Sequence, residues 1–138
     1  MMKYLAMCLL LSGLGVVSPA ATAATLDELP PLLCAPATVL ECEADGGCAR
    51  TTPEAANIPP FLKIDPAAKT VSTLDGRRTS AISQADTLQD RVVLSGGDGA
   101  RGWMLFISDA GQMTATAATD RHTFVLFGTC ARLAGAGK

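Results

Sequence analysis

The chain has 138 residues, 49% of them hydrophobic, 4% aromatic and 17% charged, with 11 Lys and Arg against 13 Asp and Glu. Such a length carries one domain, which typically takes roughly 100 to 200 residues, and the apolar half of the composition excludes a disordered chain. A net charge of −2 and a pI near 5.2 leave no electrostatic footprint for nucleic acid or for an anionic membrane surface.

Residues 1–23 read as a secretory signal peptide. Lys3 gives the positive start, an apolar run of about 13 residues covers 5–17, and the small residues Ser18 to Ala23 follow. Ala21 and Ala23 make the A-x-A pattern that places cleavage after Ala23. A membrane anchor needs about 18 or more apolar residues, so this run is too short to span. Met7 is too large to precede a lipidated cysteine, which argues against lipidation at Cys8. The expectation is a soluble domain beginning near Ala24, exported to the periplasm or beyond, with no stable membrane anchor.

Setting Cys8 aside leaves Cys34, Cys42, Cys48 and Cys130, an even set that in an exported domain reads as two disulfides. Three pairings are open, and local geometry ranks them. The run from Leu40 to Cys48 suits a three-residue hairpin loop, with Ala44 and Asp45 in a type I turn and Gly46 left-handed. That register sets Cys42 opposite Cys48, close enough to bridge, and leaves Cys34 to fasten the start of the domain to Cys130 near its end. Zinc does not fit these cysteines, because their spacings match no knuckle and the lone His122 precedes Cys130 by eight positions. The acidic run Glu41-x-Glu43-x-Asp45-Gly46 fails as a calcium loop, since Thr52 stands where a bidentate glutamate is required. No metal and no cofactor are expected.

Prolines at 30, 31, 36, 53, 59 and 60 mark residues 24–60 as an irregular segment around the cystine hairpin, with a single turn near 53–56. From residue 61 onward, β-favouring runs alternate with turn residues, giving strands near 61–65, 70–74, 79–83, 91–95, 103–108, 112–117 and 123–128. The links Asp65-Pro66-Ala67-Ala68, Asp75-Gly76, Gly96-Gly97-Asp98-Gly99 and Asp109-Ala110-Gly111 are short, which forces neighbouring strands to run antiparallel. The fold class is therefore all-β, an antiparallel meander closing into a small barrel or a two-layer sandwich. The irregular proline-rich N-terminal segment is stapled to it by disulfides, and residues 24–60 and 61–138 form one domain.

The last strands are apolar on both faces: Trp103, Leu105 and Ile107 alternate with Met104 and Phe106, and Phe124 to Phe127 are apolar throughout. Something must cover the second face. One expectation is that residues 26–39, with Leu29, Leu32 and Leu33, lie across it; the other is that part of it binds a partner or an apolar ligand.

A search for catalytic residues finds little. With the cysteines paired, Ser95 and Ser108 have only His122 to act as a base, and no G-x-S-x-G elbow is present. Asp120-Arg121-His122 reads as a solvated loop. Asp98 with Asp109, or Glu41 with Glu43, are carboxylate pairs whose separation the sequence does not give. Gly96-Gly97-Asp98-Gly99 lacks the lysine of a phosphate-binding loop.

Taken together, Glu41-Cys42-x5-Cys48, Pro60-Phe61-Leu62-Lys63-Ile64-Asp65, Arg101-Gly102-Trp103 and Phe124-Val125-Leu126-Phe127-Gly128-Thr129-Cys130 resemble uncharacterised small secreted or periplasmic β-rich proteins of Gram-negative bacteria. The resemblance implies an exported β-domain with structural cysteines and brings no activity. A weaker likeness is to the periplasmic inhibitors of C-type lysozyme, small antiparallel barrels with a disulfide reaching the C-terminus. Their serine-glycine loop would map to Ser95-Gly96, but the tyrosine that should follow is absent and Trp103 comes too late.

The functional expectation is a non-enzymatic binding module whose partner is an unknown protein or small ligand. The first place to look is the hairpin tip where Asp98, Arg101 and Trp103 put a carboxylate, a guanidinium and an indole close to solvent; the competing reading is a turn followed by a core tryptophan. Alternatives are a periplasmic inhibitor, a carrier with a small apolar cavity, and a hydrolase built on His122.

Overall fold

The computed structural model describes residues 28–134, so residues 1–23, where a signal peptide is expected, and Cys8 lie outside the described residues. The strands are β1 (Leu32–Glu43), β2 (Cys48–Thr51), β3 (Leu62–Asp65), β4 (Thr70–Thr73), β5 (Thr79–Leu88), β6 (Arg91–Gly97), β7 (Gly102–Ser108), β8 (Gln112–Ala118) and β9 (His122–Arg132). From β3 to β9 each strand pairs antiparallel with the next, and β1 pairs with both β3 and β9. The meander thus closes into a barrel of eight antiparallel strands rather than a sandwich. Closure removes the free edges that a flat meander would expose.

The expectation of an irregular segment before residue 60 is corrected here, because β1 is a twelve-residue strand and the seam of the barrel. Its first part pairs with β3 at Leu32 to Cys34, and its second part pairs with β2 at Val39 to Cys42. Pro36 falls between the two partners, where no donor is asked of it on that side. On the other side, the register with β9 shifts between Pro36 and Thr38, so Ala37 is an extra residue. A proline is tolerated in a strand at such a bulge. The bulge also resets the alternation: Cys34, Pro36 and Val39 all point inward, while Ala37 is exposed. The idea that residues 26–39 cover a sheet face falls with this, because residues 32–39 are part of the sheet itself.

The seven strands expected after residue 61 are all present, with β5 longer than its sequence pattern suggests. The register between β5 and β6 shifts between Ile82 and Gln84, leaving Ser83 unpaired. Inward positions therefore pass from Ile82 to Ala85, and a strict period of two ends at the bulge although the strand runs on to Leu88. The Asp75-Gly76 link is also wider than a two-residue primed turn. Thr73 N–H donates to the Arg78 carbonyl at 2.9 Å across a four-residue loop in which Gly76 has φ 69°.

Within the barrel, large and small side chains alternate. Trp103 lies between Gly96 of β6 and Ala117 of β8, and Ala117 in turn stands opposite Phe124 of β9. Leu105 and Leu126 flank Ala115 in the same way. The end of the barrel away from Trp103 is filled by Ile64, Ile107, Met113 and the Cys34–Cys130 disulfide. Cys34 and Cys130 are directly opposed, with Cα atoms 4.0 Å apart, and close a loop with a sequence separation of 96. Cys42 and Cys48 are opposed in the hairpin with Cα atoms 4.1 Å apart, Gly46 has φ 94°, and Glu43 N–H donates to the Gly47 carbonyl at 2.8 Å. Both disulfides and the three-residue loop follow the geometric ranking made from the sequence. By loop-closure entropy the long bridge stabilises by about 4 to 5 kcal/mol and the short one by about 2 kcal/mol.

Candidate functional site: the barrel mouth

Opposite the packed end, the barrel opens into a cavity of about 210 Å³. Its walls come from the ends of strands that meet there: Leu62 of β3, Val71 of β4, Ser80 of β5, Trp103 and Leu105 of β7, Ala115 and Ala117 of β8, and Phe124 and Leu126 of β9. The space exists because at this end β8 supplies only Ala115 and Ala117 on its inward side, between two bulky neighbours. One side is covered by the link from β2 to β3, where Ala56, Ile58 and Pro59 reach the cavity. That link begins with one helical turn, closed by Ala56 N–H to the Thr52 carbonyl and Ile58 N–H to the Pro53 carbonyl. It is held to the β4–β5 loop by Arg78, whose Nη1 and Nη2 donate to the Asn57 carbonyl at 3.1 and 3.2 Å.

Trp103 is turned into the barrel. Its Nε1 donates to Ser80 Oγ at 2.7 Å, and Ser80 Oγ donates to the Gly97 carbonyl at 3.2 Å. The indole is thus half-buried against the core with its polar atom satisfied by the wall, and the placement of an indole close to solvent is corrected. Asp98 and Arg101 occupy the β6–β7 loop, closed by Asp98 N–H to the Arg101 carbonyl at 3.0 Å. All three residues singled out in the sequence line this one cavity. Phe124 and Leu126 were read only as part of a strand apolar on both faces, and Arg78, Ser80 and the 52–61 link were missed. No local pattern pointed to them, because only barrel closure brings strands β3 to β5 round to β9.

The ionisable groups lining the cavity are Arg78, Asp98 and Arg101. The side chains of Asp98 and Arg101 have no hydrogen-bond or ion-pair partner among the described residues. Nearby, Thr73 Oγ1 donates to Asp75 Oδ1 at 2.5 Å and Arg77 N–H donates at 3.1 Å, which holds the Asp75 carboxyl below its ordinary value of 3.8.

His122 stands one inward position before Phe124 on β9, its ring stacked on Phe124 at 6.3 Å and its Nδ1 3.2 Å from Glu41 Oε1. Ser95 pairs with Met104 on the outward side, and Ser108 Oγ accepts from Gln112 N–H in the turn at the other end of the barrel. Asp98 and Asp109 flank β7 at opposite ends, about 23 Å apart at the usual strand rise, so they do not form a carboxylate pair. Among the described residues no cluster of three or more His, Cys, Asp or Glu is placed to hold a metal.

On the outside of the barrel, Met104 and Phe106 of β7 and Val125 and Phe127 of β9 flank Thr114 and Thr116. Met104 is 41% and Phe127 44% exposed, so part of the second apolar face is open. Comparison of the chain with protein-family models, curated proteins and solved structures finds no match in any of the three.

Proposed function

We propose that the chain is an exported, non-enzymatic binding protein that holds one small, largely apolar ligand at the mouth of its barrel. The observation that carries this reading is the cavity of about 210 Å³ walled by Leu62, Val71, Trp103, Phe124 and Leu126. An apolar cavity of about 150 Å³ accepts benzene, so this one suits a single ring with a short substituent. Eight-stranded barrels are either filled by side chains or hold one small ligand, and the alanines of β8 favour the second outcome. Two disulfides support an oxidising compartment, the periplasm of a Gram-negative cell in this reading. The separation of Asp98 from Asp109, and of His122 from Ser95 and Ser108, supports a binding role over hydrolysis.

Native mass spectrometry of the protein purified from the periplasm of a Gram-negative host tests the proposal. We expect a small organic adduct that is lost on denaturation, and an N-terminus at Ala24. An empty barrel whose single tryptophan emission is unmoved by small aromatic compounds overturns it.

A protein partner, with inhibition as one form of it, is the second reading, favoured by the outward row of Met104, Phe106, Val125 and Phe127, of which Met104 and Phe127 are exposed. Capture from envelope extract that is lost in Phe127→Asp while the cavity adduct persists would select it.

A further inference from the structure

We infer that the ligand of the barrel mouth carries a single carboxylate, bound by Arg101, with its apolar part lying against Trp103. This rests on the cavity being a ligand site and adds the chemistry of the ligand's polar end. Beside the indole the polar atoms of the wall are already engaged, Trp103 Nε1 with Ser80 and Ser80 Oγ with the Gly97 carbonyl. A polar end must therefore face the rim. There the ionisable groups are two guanidiniums, Arg78 and Arg101, against one carboxylate, Asp98, a net positive lining on a chain whose formal net charge is −2. Arg78 has both terminal nitrogens on the Asn57 carbonyl. Arg101 has no side-chain partner among the described residues, and its planar fork suits a carboxylate through two parallel hydrogen bonds. Asp98, equally unpaired on the same loop, disfavours a second negative charge and so limits the ligand to one.

The test uses three probes with one apolar part: 3-phenylpropionate, 3-phenylpropanol and 3-phenylpropylamine, titrated against Trp103 emission in the oxidised protein. We expect the carboxylate to bind about tenfold more tightly than the alcohol, the usual scale for a charge-assisted bidentate contact, and the amine to bind weakest. In Arg101→Gln the carboxylate should fall to the affinity of the alcohol, while the alcohol is unchanged. Equal binding of carboxylate and alcohol by the parent protein overturns the head-group assignment and leaves the apolar cavity standing. So does tighter binding of the amine, and a preference that survives Arg101→Gln removes Arg101 from the role. If none of the three probes moves the emission, the cavity reading itself fails.

Discussion

Trp103 and Gly96 are cross-strand partners, and the indole occupies the space that a side chain at position 96 would need. A Cβ built there would lie 2.5 Å from the Trp103 ring and 2.1 Å from the Ala81 carbonyl oxygen. Stacking an aromatic ring over a strand glycine shields the backbone it leaves bare and fixes the ring against one wall of the cavity.

Gly96→Ala should therefore force the indole or β5 to move. We expect a loss of about 1 to 3 kcal/mol in urea unfolding, the range for overpacking, with a shifted Trp103 emission. Gly102→Ala is the control, since a Cβ there meets nothing within 4 Å. Its stability should stay within about 0.5 kcal/mol of the parent.

The two disulfides should differ in worth. Replacing Cys34 and Cys130 together by alanine should cost about 4 to 5 kcal/mol, and replacing Cys42 and Cys48 about 2 kcal/mol, because the closed loops differ so much in length. Equal losses in denaturant would mean that loop entropy is not what distinguishes them.

Inserting one alanine after Thr38 slips the rest of β1 by one residue and turns Val39 from the core to the surface, with every later residue of β1 reversed in face. We expect a loss above about 3 kcal/mol or no soluble fold, whereas Ala37→Ser, at an exposed position, should be nearly neutral. Circular dichroism and yield report both.

Arg78→Ala releases the 52–61 link from the β4–β5 loop. Exposed hydrogen bonds contribute modestly, so global stability should change by less than about 1 kcal/mol. Hydrogen exchange at Ala56 and Ile58 should nevertheless accelerate several-fold, and unchanged exchange would show that Arg78 does not hold the link.

Asp75 provides a pH prediction. Its carboxyl is held low by the Thr73 hydroxyl and the Arg77 amide, so its support of the 74–77 loop is present above the ordinary value of 3.8 and lost as pH falls through the lowered folded value. An NMR titration of Asp75 should have its midpoint below 3.8, and Thr73→Val should raise it.

Particular residues show where sequence reasoning reached and where it stopped. The Cys42–Cys48 hairpin was readable to the residue because its turn chemistry, loop length and cross-strand opposition are local. The strand at 79–88 was read only to Ser83, since a bulge erases the alternation that marks a strand. Pro36 was read as a breaker, yet it sits where β1 exchanges one neighbour for another and owes no hydrogen bond on that side. The site was half legible: Asp98, Arg101 and Trp103 stand together in sequence, while Arg78, Phe124 and the 52–61 link reach them only through the closed ring.

The amino-acid sequence alone determined the all-β class and the antiparallel order of β3 to β9 and ranked the pairings of the cysteines, because turns and alternation act over a few residues. Tertiary structure decided the rest. Pairing of β1 with β9 across most of the chain length chose a barrel over a sandwich and gave the strands an inside. That inside is what turned Trp103 away from solvent and left a cavity where β8 has only alanines, since which side of a strand is buried depends on the curvature of the whole sheet.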